Sequence, residues 1–219
     1  MKLILTCMML LAGTLTFSQG VSFSYLLPKN GYLSAPVSPF SIRGIGFGEK
    51  AGLQTGITLY SIPGLGMEEL PFSSDKPMVG PHFAILVPGQ LFFTIPVKNW
   101  QFKFLAGGFL WWNINPRLNE GNLDRGYREF EQAESLNTDF SLKNKLGKGL
   151  TGGLEITFAW SRELSLTAQA SYLKGSAEAP LSGTYTGSKN GQTFTTSADE
   201  NAAILLEGLE LSFGVIFSR

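Results

Sequence analysis

Residues Trp100 to Trp112 read W-Q-F-K-F-L-A-G-G-F-L-W-W. Side chains alternate between the two faces of a strand, so this stretch puts Trp100, Phe102, Phe104, Ala106, Leu110 and Trp112 on one face. Gln101 and Lys103 fall on the other. A transmembrane β-strand needs about 9 to 11 residues, apolar toward lipid, polar or small toward the lumen, with aromatic rings at both headgroup levels. The stretch has that rhythm.

The chain opens with a short positive segment, Met1-Lys2, then an apolar run from Leu3 to Leu15 and the small-x-small pattern Thr16-Phe17-Ser18. Together these predict a secretory signal peptide over residues 1–18, cleaved after Ser18, with the barrel domain over residues 19–219. The single cysteine, Cys7, lies inside that segment. The mature chain is therefore expected to lack a disulfide framework, a thiolate metal site and a cysteine nucleophile. Seventeen acidic residues balance 17 basic ones, of which the signal segment removes only Lys2. Near neutrality without a basic stripe argues against nucleic acid as a partner. After the signal no apolar run is long enough for a membrane helix, so a membrane form would have to be a barrel.

Eight alternating segments lie between turn signals: Val21 to Leu27, Val37 to Gly48, Ala51 to Ser61, His82 to Ile95, Trp100 to Asn113, Gly149 to Trp160, Leu164 to Lys174 and Ala203 to Phe217. Their connections alternate between tight (Glu49-Lys50, Pro96 to Asn99, Ser161 to Glu163) and long (Pro28 to Pro36, Ile62 to Pro81, Ile114 to Lys148, Gly175 to Ala202). An even strand count with short turns at one end and long loops at the other is the pattern of an outer-membrane barrel. The fold class expected is all-β, an eight-stranded antiparallel transmembrane barrel with both termini at the turn end.

The period of two also assigns faces. Phe83, Ile85, Val87, Leu91, Phe93 and Ile95 share one, as do Leu150, Leu154, Ile156, Phe158 and Trp160, and Leu205, Leu209, Leu211, Phe213, Val215 and Phe217. Opposite them lie Gln90 and Thr94, Thr151 to Thr157 at alternate positions, Ser165, Thr167, Gln169 and Ser171, and Glu210, Ser212 and Gly214. This predicts a polar lumen and an apolar exterior with Glu207 as its one charged exception. Trp100, Trp160 and Phe217 would form one aromatic girdle, and Trp112 and Tyr172 the other. A soluble lipocalin-type barrel shares the periodicity with the faces inverted. It would carry more Lys and Glu on its polar face than the Gly, Ser, Thr and Gln found here.

Over essentially the whole mature chain, the signal peptide, the strand rhythm and the closing strand Leu209 to Phe217 resemble the small outer-membrane β-barrel proteins of Gram-negative bacteria. These are the eight-stranded OmpA-transmembrane, OmpX and OmpW kind. The resemblance implies an outer-membrane location, lipid and lipopolysaccharide as surroundings, and no cofactor. In that family the last strand commonly ends in Phe, whereas here Phe217 is followed by Ser218-Arg219.

Four charges, Arg43, Lys103, Glu155 and Glu210, are expected inside the barrel. In so narrow a lumen side chains fill the interior and buried charges must pair. The expectation is a plug of salt bridges, with an ion or proton path as the alternative. Ile45 and Phe47 share the parity of Arg43, which implies a bulge nearby.

His82, the only histidine, is the natural candidate for acid–base chemistry. Some eight-stranded barrels are lipid A acyl-modifying enzymes with a histidine and a serine partner, but here His82 is followed by Phe83-Ala84, and a His-x-Ser spacing is absent. A solvated rim histidine is the expectation, and no catalytic, metal or cofactor site is expected. Arg43-Gly44-Ile45-Gly46-Phe47-Gly48 lies within a strand and does not open a helix, so it is not a phosphate cradle.

In the loop Ile114 to Lys148, Leu123, Tyr127 and Phe130 recur at helical intervals. Asp124 with Arg128, and Arg125 with Glu129, are spaced four apart, so a short amphipathic helix or a solvated loop is expected. Asn190-Gly191 between Thr-rich runs predicts a hairpin rising above the last two strands as a ribbon. Its exposed edge could dock a protein partner. The function expected is non-enzymatic, structural or adhesive, through the extracellular loops. A conduit for small hydrophobic solutes, which the OmpW resemblance implies, is the alternative, with Leu86, Phe109 and Trp111 lining a mouth. A secretion-system accessory barrel or a lipid A-modifying enzyme comes behind it.

Overall fold

In a computed structural model of the chain, the described residues are 19–29, 31, 40–48 and 50–217. The expected signal segment, the expected strand start at Val37, the turn residue Glu49 and Ser218-Arg219 lie outside them. Eight long strands form an antiparallel ring: β1 (Gln19–Pro28), β2 (Phe40–Phe47), β3 (Ala51–Ile62), β5 (His82–Val97), β6 (Trp100–Ile114), β8 (Gly147–Ala159), β9 (Leu164–Glu178) and β12 (Ala203–Phe217). The ring closes where β12 pairs with β1, in unbroken register from Gln19 opposite Phe217 to Pro28 opposite Gly208. Every strand of the ring therefore has two neighbours, which leaves no open edge. The two-residue β4 (Met67–Glu68) adds to the loop end of β12.

The alternation read from sequence sets the two faces. Phe23, Phe93, Phe104, Leu166, Phe213 and their row-mates project outward and are exposed, while Ser24, Gln54, Gln90, Gln169 and Ser212 point inward and are buried. Trp100, Trp160 and Phe217 stand exposed at the turn end. Trp112 and Tyr172 project from the same surface toward the loop end.

The bulge implied beside Arg43 is present. Ile42 faces Ile57 and Ile45 faces Thr55, so Arg43 and Gly44 together oppose the single residue Gly56. Gly44 takes φ 78°, the left-handed conformation that glycine adopts at such a bulge. The extra residue turns Arg43 inward and lets Ile45 and Phe47 remain outside.

The long loops between β3 and β5, β6 and β8, and β9 and β12 form a cap. The expected helix appears as α1 (Glu120–Glu131), started by the Asn119 side chain accepting from the Asn122 N–H. Leu123 and Tyr127 are buried as expected, but Phe130 is 51% exposed and does not belong to the packed face. The i,i+4 pairing expected of Asp124 is replaced by a link outside the helix: its carboxylate accepts from both the N–H and the hydroxyl of Thr138, each at 2.7 Å.

The expected hairpin forms as β10 (Leu181–Lys189) and β11 (Gln192–Glu200), with Asn190 and Gly191 both at positive φ. It is not a free ribbon. A strand the sequence reading did not assign, β7 (Ser135–Leu142), pairs along β10 to make a three-stranded sheet. Only the β11 edge of the hairpin remains unpaired among the described residues.

Candidate functional site

The lumen has two halves with different chemistry, which corrects the expectation of a uniformly polar interior. Toward the turn end it is a hydrogen-bonded charge network. Arg43 is ion-paired with Glu210, and its guanidinium also donates to Ser41 (2.9 Å), Gln169 (2.8 Å) and Ser24 (3.2 Å). The Tyr60 hydroxyl donates to the same Glu210 carboxylate. Lys103 and Glu155 are register partners on β6 and β8, with Nζ and Oε1 2.9 Å apart, and Lys103 lies over the Phe92 ring at 5.3 Å. All four expected lumen charges thus face inward in two complementary pairs. The cavity left beside Arg43, Lys103 and Glu155 is about 20 Å³, the space of roughly one water molecule.

Toward the loop end the interior is apolar. Tyr60, Leu86, Phe109, Trp111, Leu173, Ile204 and Leu206 of the wall pack with Leu65, Met78 and Val79, which the segment between β3 and β5 carries into the barrel. Bridges Leu65–Val79 and Val79–Leu118 hold that segment. Above it Leu123 and Tyr127 of α1 join Leu136, Leu181 and Tyr185 of the cap sheet in the same cluster. Tyr127 sits among three aromatic rings, those of Phe72, Phe140 and Tyr185, at centroid distances of 5.0–5.2 Å. Leu86, Phe109 and Trp111 are on the inner face as read from sequence, yet they are core residues and do not line an open mouth. The signal missed was the apolar content of the 62–81 loop, which has no strand or helix period.

His82 is 5% exposed, so it is not a solvated rim residue. Its Nε2 lies 2.8 Å from the Asn113 side-chain oxygen. The partner is an amide, neither a nucleophile nor a carboxylate that could orient the ring for catalysis.

Outside the ring the apolar wall carries more than one charge. Besides Glu207, Lys148, Lys174 and Glu178 project outward, near the loop ends of the adjacent strands β8, β9 and β12. Lys174 fell within an expected strand, at an outward position. Glu207 is held by Lys29 (3.1 Å) and by the Tyr172 hydroxyl (2.6 Å), and Glu178 by Lys145 (2.6 Å). Next to this patch the wall is indented by a groove of about 520 Å³, lined by Thr55, Val87, Gly89, Gly108, Leu110 and Lys148 among others. In its floor Pro88, which has no N–H to give, falls where the β3–β5 ladder is interrupted, between the Thr55–Gly89 and Thr58–Leu86 pairs.

No protein-family model matches the chain, and no curated protein matches it. Among solved structures it is similar to the outer membrane protein OprG from Pseudomonas aeruginosa, at 11% identity and TM-score 0.49, over 92% of this chain and 91% of that one. It is also similar to a major outer membrane protein from Thermus thermophilus, at 9% identity and TM-score 0.45, over 92% of this chain and 98% of that one.

Proposed function

We propose that the protein spans an outer membrane as a closed, non-enzymatic barrel, with its termini and tight turns in the periplasm. Its role is structural or adhesive and is carried by the external cap. The observation that supports this most is the continuity of the buried core, which runs from the loop-end half of the lumen through the 62–81 segment into α1 and the cap sheet. Such a core stiffens the loops and stoppers the barrel at once. The outer face of the cap sheet presents Ser182, Thr184, Thr186, Thr193 and Thr195 to solvent, a hydroxyl-bearing surface suited to polar contacts with another cell-surface molecule.

The membrane reading draws support from the exterior. On β1, β2, β3, β5 and β6 no outward side chain among the described residues is charged, and a bare apolar wall of this extent needs a lipid surround. Conduction through an open mouth is disfavoured because Leu86, Phe109 and Trp111 lie under the cap. A lipid A-modifying activity is disfavoured because the one hydrogen-bond partner of His82 among the described residues is Asn113 and no nucleophilic hydroxyl reaches its ring.

Detergent-folded protein that shows a heat-modifiable gel shift should be silent in planar bilayers, and intact cells should expose the cap to added protease. Reproducible conductance steps would overturn the closed-barrel reading. A cap protected on intact cells but cleaved in opened ones would overturn the orientation. His82→Ala should leave the cell's lipid A profile unchanged.

A further inference from the structure

We infer that the indented wall beside Lys148 and Lys174 is a binding site for one anionic membrane lipid, with its phosphate on the two ammonium groups and an acyl chain in the groove. This rests on the reading of the protein as membrane-embedded.

Three independent features converge on that stretch of wall. The first is the placement of charge. Lys148 is opposite Ser176 and Leu150 is opposite Lys174, so the two lysines are diagonal neighbours on adjacent strands, roughly 7–8 Å apart at the backbone. That spacing lets two flexible ammonium groups converge on one phosphate. Both are exposed, and both sit at the loop-end border of the apolar wall, directly above Leu150 and Tyr172. Headgroup phosphates lie at such a border.

The second feature is that the carboxylates beside the two lysines are each already held by another cation. Neither lysine forms a close ion pair among the described residues, although Lys174 stands opposite Glu207 in the β9–β12 register and Lys148 acts electrostatically on Glu178. The nearby carboxylates are already engaged, Glu207 by Lys29 and Tyr172 and Glu178 by Lys145. Each of these carboxylates is shared with another cation, so the two lysines keep capacity for an external anion.

The third feature is the groove itself. Lys148 lines it and is only one residue from the loop end of β8, whereas Val87 and Leu110 lie well inside their strands. The indentation thus runs from a cation at the border down into the apolar wall. The groove is open to the surroundings, and at Gly89 a Cβ would meet no atom within 4 Å. An apolar trough headed by an ammonium without a close ion pair has the shape and polarity of an acyl lipid with a phosphate headgroup. A free phosphate ion would leave the trough unfilled.

Native mass spectrometry of the detergent-folded protein tests this, with dimyristoylphosphatidylglycerol and dimyristoylphosphatidylcholine as probes that share acyl chains and differ in net charge. One phosphatidylglycerol should be retained in preference to phosphatidylcholine. Each lysine beside a headgroup phosphate contributes about fivefold in affinity, so Lys148→Gln with Lys174→Gln should remove at least about tenfold of the preference. Gly89→Leu, whose side chain starts in open space over the groove, should weaken retention of both lipids while leaving the lysines untouched.

Equal retention of the two lipids by the wild type, or a preference unchanged in the double glutamine variant, would overturn the inference. So would a Gly89→Leu variant that binds as the wild type does, or displacement of the lipid by an equal concentration of inorganic phosphate. The heat-modifiable gel shift separates the two readings. A protein that fails to fold in detergent contradicts the membrane assignment, whereas one that folds and shows no lipid preference contradicts only this site.

Discussion

Arg43 and Glu210 form an ion pair across an intervening strand, since β2 and β12 are both neighbours of β1 and not of each other. The pair bridges the seam at which the ring closes. It exists because the bulge at Gly44 turns Arg43 inward, and because Ser24 of β1, between the two, accepts from the same guanidinium.

Removing one partner of this pair leaves the other buried without compensation, which costs about 3–5 kcal/mol. Glu210→Ala should therefore lower the unfolding midpoint in denaturant strongly, and more than Glu155→Ala, because Tyr60 also loses its acceptor. The double variant Arg43→Met with Glu210→Met should recover much of the loss. A double variant no more stable than Glu210→Ala would count against burial of an uncompensated charge as the cause.

Gly44 holds φ 78°, a conformation that costs a side chain with a Cβ about 1–2 kcal/mol. Gly44→Val should reduce stability by at least that amount, because a β-branched residue either strains the bulge or abolishes it. Loss of the bulge would reverse the parity of Arg43. Equilibrium unfolding in micelles gives the size of the effect.

Asp124 ties α1 to β7 through two hydrogen bonds to Thr138. Asp124→Ala should loosen the cap by about 2 kcal/mol, the order expected for bonds to a charged acceptor. Asp124→Asn, which keeps an acceptor oxygen, should lose less. Limited proteolysis would reveal this as faster cleavage between β6 and β8 with the barrel's gel shift unchanged.

Burial, with a neighbouring carboxylate, pushes the pKa of two cap phenols above the ordinary tyrosine value, Tyr127 beside Glu200 and Tyr185 beside Glu131. The folded cap therefore holds these protons more tightly than the unfolded chain does. Their contribution is complete below the ordinary tyrosine value of 10.0 and is lost as pH rises above it, because the unfolded chain ionises first. Proteolytic protection of the cap should fall in alkaline solution above that value, and Tyr127→Phe should blunt the fall. Protection that is flat with pH in the wild type would contradict the assignment.

The wall of the barrel was legible because a strand's faces follow from a period of two, which is a property of neighbouring residues. Trp100 to Trp112 declares its two faces with no partner in view. Lys103 and Glu155 could be expected to meet because both point inward on strands separated by one connection. Arg43 was readable only through the conflict of parity with Ile45 and Phe47, which a bulge resolves.

Leu65, Met78 and Val79 had no comparable signal. They belong to an irregular loop, and their burial depends on a mouth built by other segments. His82 looked like a rim residue for the same reason, since the cap over it comes from distant parts of the chain. The pairing of β7 with β10 sets Leu142 opposite Leu181 and Ser135 opposite Ser188, residues far apart along the chain; Ser135 to Leu142 alternates, with Leu136, Phe140 and Leu142 on one face, but alternation alone does not name a strand's partner.

By itself, then, the sequence determined the eight strands, their direction and which side chains face outward, because those depend on local alternation and turn chemistry. The stopper, the cap sheet and the groove headed by Lys148 were decided only by tertiary structure. Each is made of side chains from several strands or loops, brought together by register and ring closure, and the spacing of residues along one segment does not say what that segment packs against.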